Sequence, residues 1–109
     1  MQKIAIISAL LLASSAAVAE PHTAEALKHA EHAVTHGKAG HAPQLVEHAE
    51  NALGHAKQAE SAASGDAKAH VSAGVKALEE SIAHGKQNHA DVAAKHAEEA
   101  VSHFKAGNV

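Results

Sequence analysis

The chain has 109 residues, a formal net charge of −3, twelve histidines, no cysteine and one aromatic residue among Phe, Trp and Tyr. The lack of cysteine excludes disulfide scaffolds, thiolate metal sites and covalent haem attachment. The nine basic residues are all lysine and are outnumbered by twelve acidic residues, which argues against nucleic-acid binding, because phosphates need clustered cations. The histidine content is the feature that requires an explanation.

Residues 1–19 have the features of a cleaved secretory signal peptide. A lysine precedes an apolar stretch of ten residues, and a small-x-small cleavage site follows at residues 17–19. The apolar stretch is shorter than the roughly 20 residues that a membrane-spanning helix needs. We therefore expect a mature chain of residues 20–109 that lies in a bacterial periplasm and is not embedded in a membrane. The sequence indicates no protein partner.

The mature chain contains an internal repeat. Residues 22–57 align with residues 70–105 at an offset of 48, with 14 identities in 36 positions, and five of these are histidine pairs. Alanine inflates such counts, but duplication of one unit is the simpler interpretation. Ala, Glu and Lys are frequent in both copies, which favours helices and gives strands no support.

The first unit is predicted to form an antiparallel pair of helices. Its first helix spans residues 23–36, with Thr23 as the N-cap and Gly37 in the left-handed conformation that ends many helices. Its second helix spans residues 43–60, with Pro43 in the first turn. The connection between them is short, which implies antiparallel neighbours.

The second unit repeats this pattern, with helices at residues 67–84, capped by Asp66 and followed by Gly85, and at 89–106, capped by Asn88. Apolar residues recur every three or four positions, so each helix has one apolar stripe. We expect an all-α, antiparallel four-helix bundle built from two helical hairpins. The expected core comprises Leu27, Ala30 and Val34; Val46, Ala49 and Leu53; Val71, Val75, Leu78 and Ile82; and Ala94, Ala97, Val101 and Phe104.

Eleven of the twelve histidines recur at intervals of seven residues within the predicted helices. When Leu27, Val46, Val75 and Ala94 are assigned to heptad position a, all eleven fall at position c. Measured around the helix axis, position c lies about 100° from the second core position, d, on the side away from a. These side chains should therefore flank the core. They are His22, His29 and His36; His41, His48 and His55; His70 and His84; and His89, His96 and His103.

Folding each hairpin about its loop pairs these histidines by level. The expected pairs are His36 with His41, His29 with His48, His22 with His55, His84 with His89, and His70 with His103. His96 faces Ala77, where the third helix lacks a histidine. Histidines seven residues apart on one helix are about 10.5 Å apart and cannot share an ion, so a site would need two neighbouring helices.

Position f, one turn from c, offers a second ligand on the same helix. The residues there that can bind a metal are Glu25, His32, Glu80 and Glu99. The first helix therefore holds the densest cluster, formed by His29, His32 and His36. We predict that this cluster is the strongest metal site, with His41 and His48 as further candidates across the hairpin.

Imidazole with carboxylate is a ligand set for borderline divalent ions, so we expect Cu(II) first, with Ni(II), Zn(II) and Co(II) as further ions. Binding requires neutral histidines and should fail on acidification. No H-E-x-x-H, E-x-x-H, G-x-S-x-G or glycine-rich phosphate motif is present, so we expect no enzymatic activity.

Two alternatives remain at this point. The first is an amphipathic helical interaction protein whose histidines sense pH, because histidine changes its charge between pH 5 and 8. The second is a haem held by histidine alone, which is weaker because it would require a buried apolar pocket that so small a core does not supply.

Two segments resemble the bacterial small metal-binding protein family: LKHAEHAVTHGKAGHAPQLVEHAENALGHAK and IAHGKQNHADVAAKHAEEAVSHFKA. The resemblance covers about residues 22–106 and implies a short periplasmic helical bundle. It also implies binding of several divalent metals, copper foremost, for metal storage or tolerance. All eleven histidines at position c match the family's pattern. Ala77 departs from it, which should weaken any site that uses His96, and the C-terminus carries no histidine-rich tail.

Overall fold

The computed structural model describes residues 21–108, and the expected signal peptide lies outside this range. Helix α1 covers residues 21–38, α2 is Ala42–Ala62, α3 is Gly65–Lys86 and α4 is Ala90–Gly107, with no strand among the described residues. The predicted all-α four-helix bundle is confirmed, and the predicted boundaries from residue 36 onward lie within two residues of the observed ones. No helix in this part of the chain is both long and apolar enough to cross a membrane.

The two hairpin turns share one backbone geometry. Gly40 and Asn88 both adopt the left-handed conformation, with φ of 81° and 64°. In each turn the next residue donates its N–H to the carbonyl five residues back, at 2.8 and 3.0 Å, as in a Schellman motif. The prediction that Gly37 and Gly85 take this role is wrong, because both are helical and buried against neighbouring helices. Asn88 therefore ends a helix rather than capping the next one.

The helix starts also differ in part from the expected caps. Thr23 lies inside α1 and is buried there. Helix α3 begins after Ser64, so Asp66 occupies its first turn. A carboxylate in the first turn also stabilises a helix through the helix dipole, so an aspartate near a helix start is expected in either position, cap or first turn. Pro43 lies in the first turn of α2, as predicted.

Small side chains form most of the core. The buried face of α2 consists of Ala42, Leu45, Ala49, Ala52, Ala56 and Ala59, so only one large side chain is fully buried on this helix. Five predicted core residues are only partly buried and pack against the core edge: Leu27, Val34, Val46, Leu53 and Val101. In α1 and α2 the core face is rotated by roughly 60° from the predicted one, towards the histidines, whereas the predicted core residues Val75, Ile82 and Ala94 of α3 and α4 are buried. Alanine and glycine on that face let the helices approach closely, which leaves the larger residues at the edge.

The second hairpin supplies the bulk of the core. Phe104, Leu78 and Val71 are all fully buried, and the Phe104 ring lies directly over Gly74. The buried hydroxyl of Ser81 donates a hydrogen bond of 2.7 Å to the carbonyl of Ala93, which joins α3 to α4. A buried hydroxyl without such a partner would be costly.

Neighbouring helices in sequence are also neighbours in the bundle. Helix α3 packs against both α2 and α4, whereas α2 and α4 contact each other only weakly. Lys38 on α1 pairs with Glu98 on α4 at 2.9 Å, and Lys86 on α3 pairs with Glu50 on α2 at 3.6 Å. Both ion pairs are exposed and contribute at most about 1 kcal/mol each. The offset of 48 converts Lys38 into Lys86 and Glu50 into Glu98, so each hairpin presents the same two charged positions to the other hairpin.

Candidate metal centre

The histidines lie at the rim of the core, as predicted. Position c is next to the buried position g on the helix surface, so its side chains emerge beside the core. Eight histidines are half-buried: His22, His29, His36, His48, His55, His84, His96 and His103. The other four are exposed: His32, His41, His70 and His89. The half-buried rings are held by packing yet remain open to solvent on one side.

In the first hairpin the histidines of α1 and α2 form one continuous row, which we call the first histidine ladder. In order along it lie His22, His55, His29, His48, His36 and His41. Successive ring centroids are separated by 5.5, 5.6, 6.3, 5.0 and 6.1 Å. The three predicted pairs are confirmed. Contacts between His29 and His55 and between His36 and His48 join these pairs, because inner rings lie between two rings of the facing helix.

The second hairpin carries a shorter row with a break. Its ring contacts are His84 with His96 at 5.3 Å, His84 with His89 at 6.1 Å, and His70 with His103 at 6.4 Å. Between His96 and His103 the row is broken at Ala77, beside a groove of about 690 Å³ that all three residues line. The predicted pairs and the predicted gap are therefore both confirmed.

Two groups of three side chains place their ligand atoms within 4.8 Å of one another: Glu25 with His29 and His55, and Glu80 with His84 and His96. Each group combines a carboxylate, a histidine four residues later on the same helix, and a histidine from the second helix of the hairpin. Ligand atoms that bind one ion at about 2.0 Å are at most about 4 Å apart, so small side-chain rotations would close either group on an ion. Each carboxylate is exposed, which leaves the groups accessible from solvent.

Comparison of the whole chain with known proteins agrees with these groups. A family model described as small metal-binding protein matches residues 1–107 of the 109. The chain belongs to the small metal-binding protein family. A comparison with curated proteins finds no match. Membership of this family indicates a binding rather than a catalytic role, with metal ions as the ligands.

Three histidines of this family member have a buried ring nitrogen without a hydrogen-bond partner. These atoms are Nδ1 of His29, His48 and His84. A buried polar atom without a partner costs about 1–3 kcal/mol, so these rings are not placed for stability alone.

Glu99, which the sequence predicts as a candidate ligand, contacts His96 in the structure. It belongs to neither group, and its Oε1 lies 2.8 Å from Nδ1 of His96, which donates a hydrogen bond to it. A carboxylate on one ring nitrogen fixes the tautomer and orientation of a metal-binding histidine and makes the other nitrogen a better donor. The hydrogen bond to Glu99 therefore holds the proton of the neutral His96 ring on Nδ1 and leaves Nε2 unprotonated.

His48 lies where several rings of the first ladder meet. Burial lowers the pKa of His48, and the neighbouring imidazoles of His36 and His32 lower it further, while Glu47 acts in the opposite direction and His29 adds a smaller decrease. The lowered pKa keeps His48 neutral at neutral pH, which is the form that binds metal ions.

All three histidines of the cluster predicted to be the strongest site contact the ring of His48, and His29 also contacts His32 at 6.5 Å. His29 joins a group with His55, whereas the rings of His32 and His36 lie 5.3 and 5.0 Å from that of His48. The periodicity of one helix does not show that His29 also groups with His55, because the stagger between facing helices decides which rings meet. The remaining histidines contact other rings but belong to neither group: His22, His41, His70, His89 and His103.

Proposed function

We propose that the protein binds several divalent transition-metal ions, Cu(II) first, and buffers or stores them in the periplasm. One observation carries this proposal: in each hairpin, two half-buried histidines from facing helices converge with an exposed carboxylate. Family membership supports metal binding as such. The choice of metal and the place of action rest on chemistry and on the sequence of residues 1–19.

The ligand chemistry favours copper. Imidazole suits Cu(II), Ni(II), Zn(II) and Co(II), and the intrinsic affinity of a nitrogen and oxygen site is greatest for Cu(II). No cysteine is available to favour Cu(I), and the only methionine is the first residue. We therefore expect Ni(II), Zn(II) and Co(II) to bind more weakly at the same groups.

The arrangement suits a buffer better than a catalyst or a single high-affinity carrier. The groups are similar to one another and open to solvent, so ions should bind in sequence and exchange readily. Neutral histidine is the ligand, and its ordinary pKa is about 6.5, so release should accompany acidification.

A Cu(II) titration of the metal-free protein, read by competition with a chelator, tests this function. At a pH of about 7.5 we expect at least two tightly bound equivalents, which are lost near a pH of about 5 as the histidines gain protons. The double variant His29→Ala with His84→Ala removes one ligand from each group and should lose two tight equivalents. The matched control is His41→Ala with His89→Ala, which removes two exposed histidines outside the groups and should leave those equivalents in place.

Failure of the unmodified protein to bind one equivalent at micromolar Cu(II) would refute the proposed function. Equal losses in the two double variants would show that the groups are not the binding sites. Periplasmic location has its own measurement, because cleavage of residues 1–19 would give a mature protein that begins at Glu20.

A pH-sensing role is the second candidate, and the lowered pKa of His48 within the first ladder favours it. Stacked rings that gain protons repel one another, so acid should loosen this hairpin even without metal. Copper binding at constant pH separates the two functions, since a pure pH sensor would bind none.

A further inference from the structure

The offset of 48 relates one of the two groups to a third set of side chains. Subtracting it from Glu80, His84 and His96 gives His32, His36 and His48. The first hairpin therefore has histidines at all three positions of a group that in the second hairpin contains a carboxylate. The position that differs is the exposed one, at heptad position f.

The geometry of the shared ring pair is the same in both hairpins. The His36 and His48 rings stack with centroids 5.0 Å apart and an interplanar angle of 8°, and those of His84 and His96 with 5.3 Å and 6°. The third ring, His32, meets His48 edge-on with centroids 5.3 Å apart. The ligand atoms of His32, His36 and His48 do not yet lie within 4.8 Å of one another, unlike those of the two groups. Because the His32 side chain is exposed, a change of rotamer can turn one of its nitrogens towards the other two rings.

The same offset applied to the other group gives a different result. It converts Glu25, His29 and His55 into Ala73, Ala77 and His103, so two of the three ligands are missing there. The first hairpin thus has two complete sets of ligands and the second has one. The first hairpin has the only complete set without a carboxylate.

We propose that His32, His36 and His48 form a third metal site with three nitrogen ligands, and that this site discriminates for Cu(II) and against hard ions such as Mn(II) more strongly than the two carboxylate-containing groups. The proposal rests on the proposed metal-binding function and assigns a preference to one site within it. Carboxylate ligands suit Mn(II), whereas imidazole suits Cu(II), so exchanging one for the other changes the ratio of affinities.

The test isolates the third site in the full-length protein. His29→Ala with His84→Ala disables the other two groups, and this background should retain one tight Cu(II) whose electron paramagnetic resonance spectrum shows three nitrogen ligands. Adding His32→Glu should reduce the nitrogen count by one and lower the Cu(II) to Mn(II) affinity ratio by about tenfold or more, equivalent to about 1.4 kcal/mol.

The reverse exchange is made in the second hairpin. In a background with His29→Ala and His36→Ala, which spares the group with His84 and His96, Glu80→His should add one nitrogen and raise the Cu(II) to Mn(II) ratio. Glu79→His introduces the same residue one position away, outside the group, and should leave both readouts unchanged. Both positions are exposed, so neither substitution disturbs the core.

The outcomes separate the inference from the function on which it rests. If the unmodified protein binds no Cu(II), the proposed function fails. If the unmodified protein binds Cu(II) but the His29→Ala, His84→Ala background binds none tightly, or if His32→Glu leaves the nitrogen count and the affinity ratio unchanged there, only the third site is overturned.

Discussion

Replacing Gly74 by alanine tests how tightly α3 and α4 pack. A Cβ atom at this position would lie 2.7 Å from Cδ1 and 2.8 Å from Cζ of Phe104, and closer still to Cε1. The ring cannot move away easily, because Phe104 is fully buried. Overpacking of this kind costs about 1–3 kcal/mol, whereas the better helix propensity of alanine returns about 1 kcal/mol. The expected net loss of stability is therefore about 0–2 kcal/mol.

Gly54 provides the matched control for this substitution. It lies within helix α2, and a Cβ atom built there has no heavy atom within 4 Å among those that could clash. Gly54→Ala should therefore show the propensity gain alone, a stabilisation of about 1 kcal/mol. The difference between the two variants isolates the packing cost, because the propensity contribution cancels.

Thermal and urea unfolding of the metal-free protein, followed by far-ultraviolet circular dichroism at one pH, measures this difference. About 1–3 kcal/mol corresponds to a separation of several degrees in Tm for a domain of this size, with Gly74→Ala the lower. If Gly74→Ala stabilised the protein as much as Gly54→Ala, the close contact between the Phe104 ring and Gly74 would be incorrect.

Three further outcomes are expected. Ala77→His combined with Ala73→Glu restores a complete set of ligands with His103, and native mass spectrometry should then detect one additional bound Cu(II); no increase would mean that the gap has another cause. Saturating Cu(II) should raise the Tm, since a ligand at about 100 times its Kd adds about 2.7 kcal/mol per site, and a chelator should reverse the shift. In metal-free protein, the lowered pKa of His48 means that the folded state binds fewer protons than the unfolded state. The stability that neutral His48 contributes is therefore complete above a pH of about 6.5 and is lost as the pH falls through the folded-state pKa. His48→Gln should reduce the dependence of the unfolding free energy on pH, measured by urea unfolding across this pH range. An unchanged dependence would contradict this expectation.

The helices and their order could be predicted from sequence because the local signals agree. Alanine-rich composition, short connections and a period of three to four residues all favour the same bundle. The caps could not be predicted as well. Gly37 and Gly85 look like helix ends, but each is needed for close contact with a neighbouring helix, a tertiary requirement that local sequence does not reveal.

The level pairing of the histidines could also be predicted, because a hairpin with a short loop leaves little freedom in register. His29 with His48 and His84 with His89 follow from the loop position alone. The carboxylate and histidine on one helix of each group follow from position f, but the histidine that joins them from the facing helix depends on stagger and could not be predicted. The contact of His36 with His48 is closer than the level pair of His36 with His41, at 5.0 against 6.1 Å.

The alanine and histidine contents of this chain have one structural cause in common. Side chains at position c of two helices can share an ion only if the helix axes are close. Small residues on the adjacent buried face permit this approach, and 29 of the 109 residues are alanine. The rotation of the core face of α1 and α2 by roughly 60° towards the histidines reflects the same close packing. The same close packing of α1 against α2 therefore leaves Leu27 and Leu53 at the edge of the core and brings His29 and His55 together.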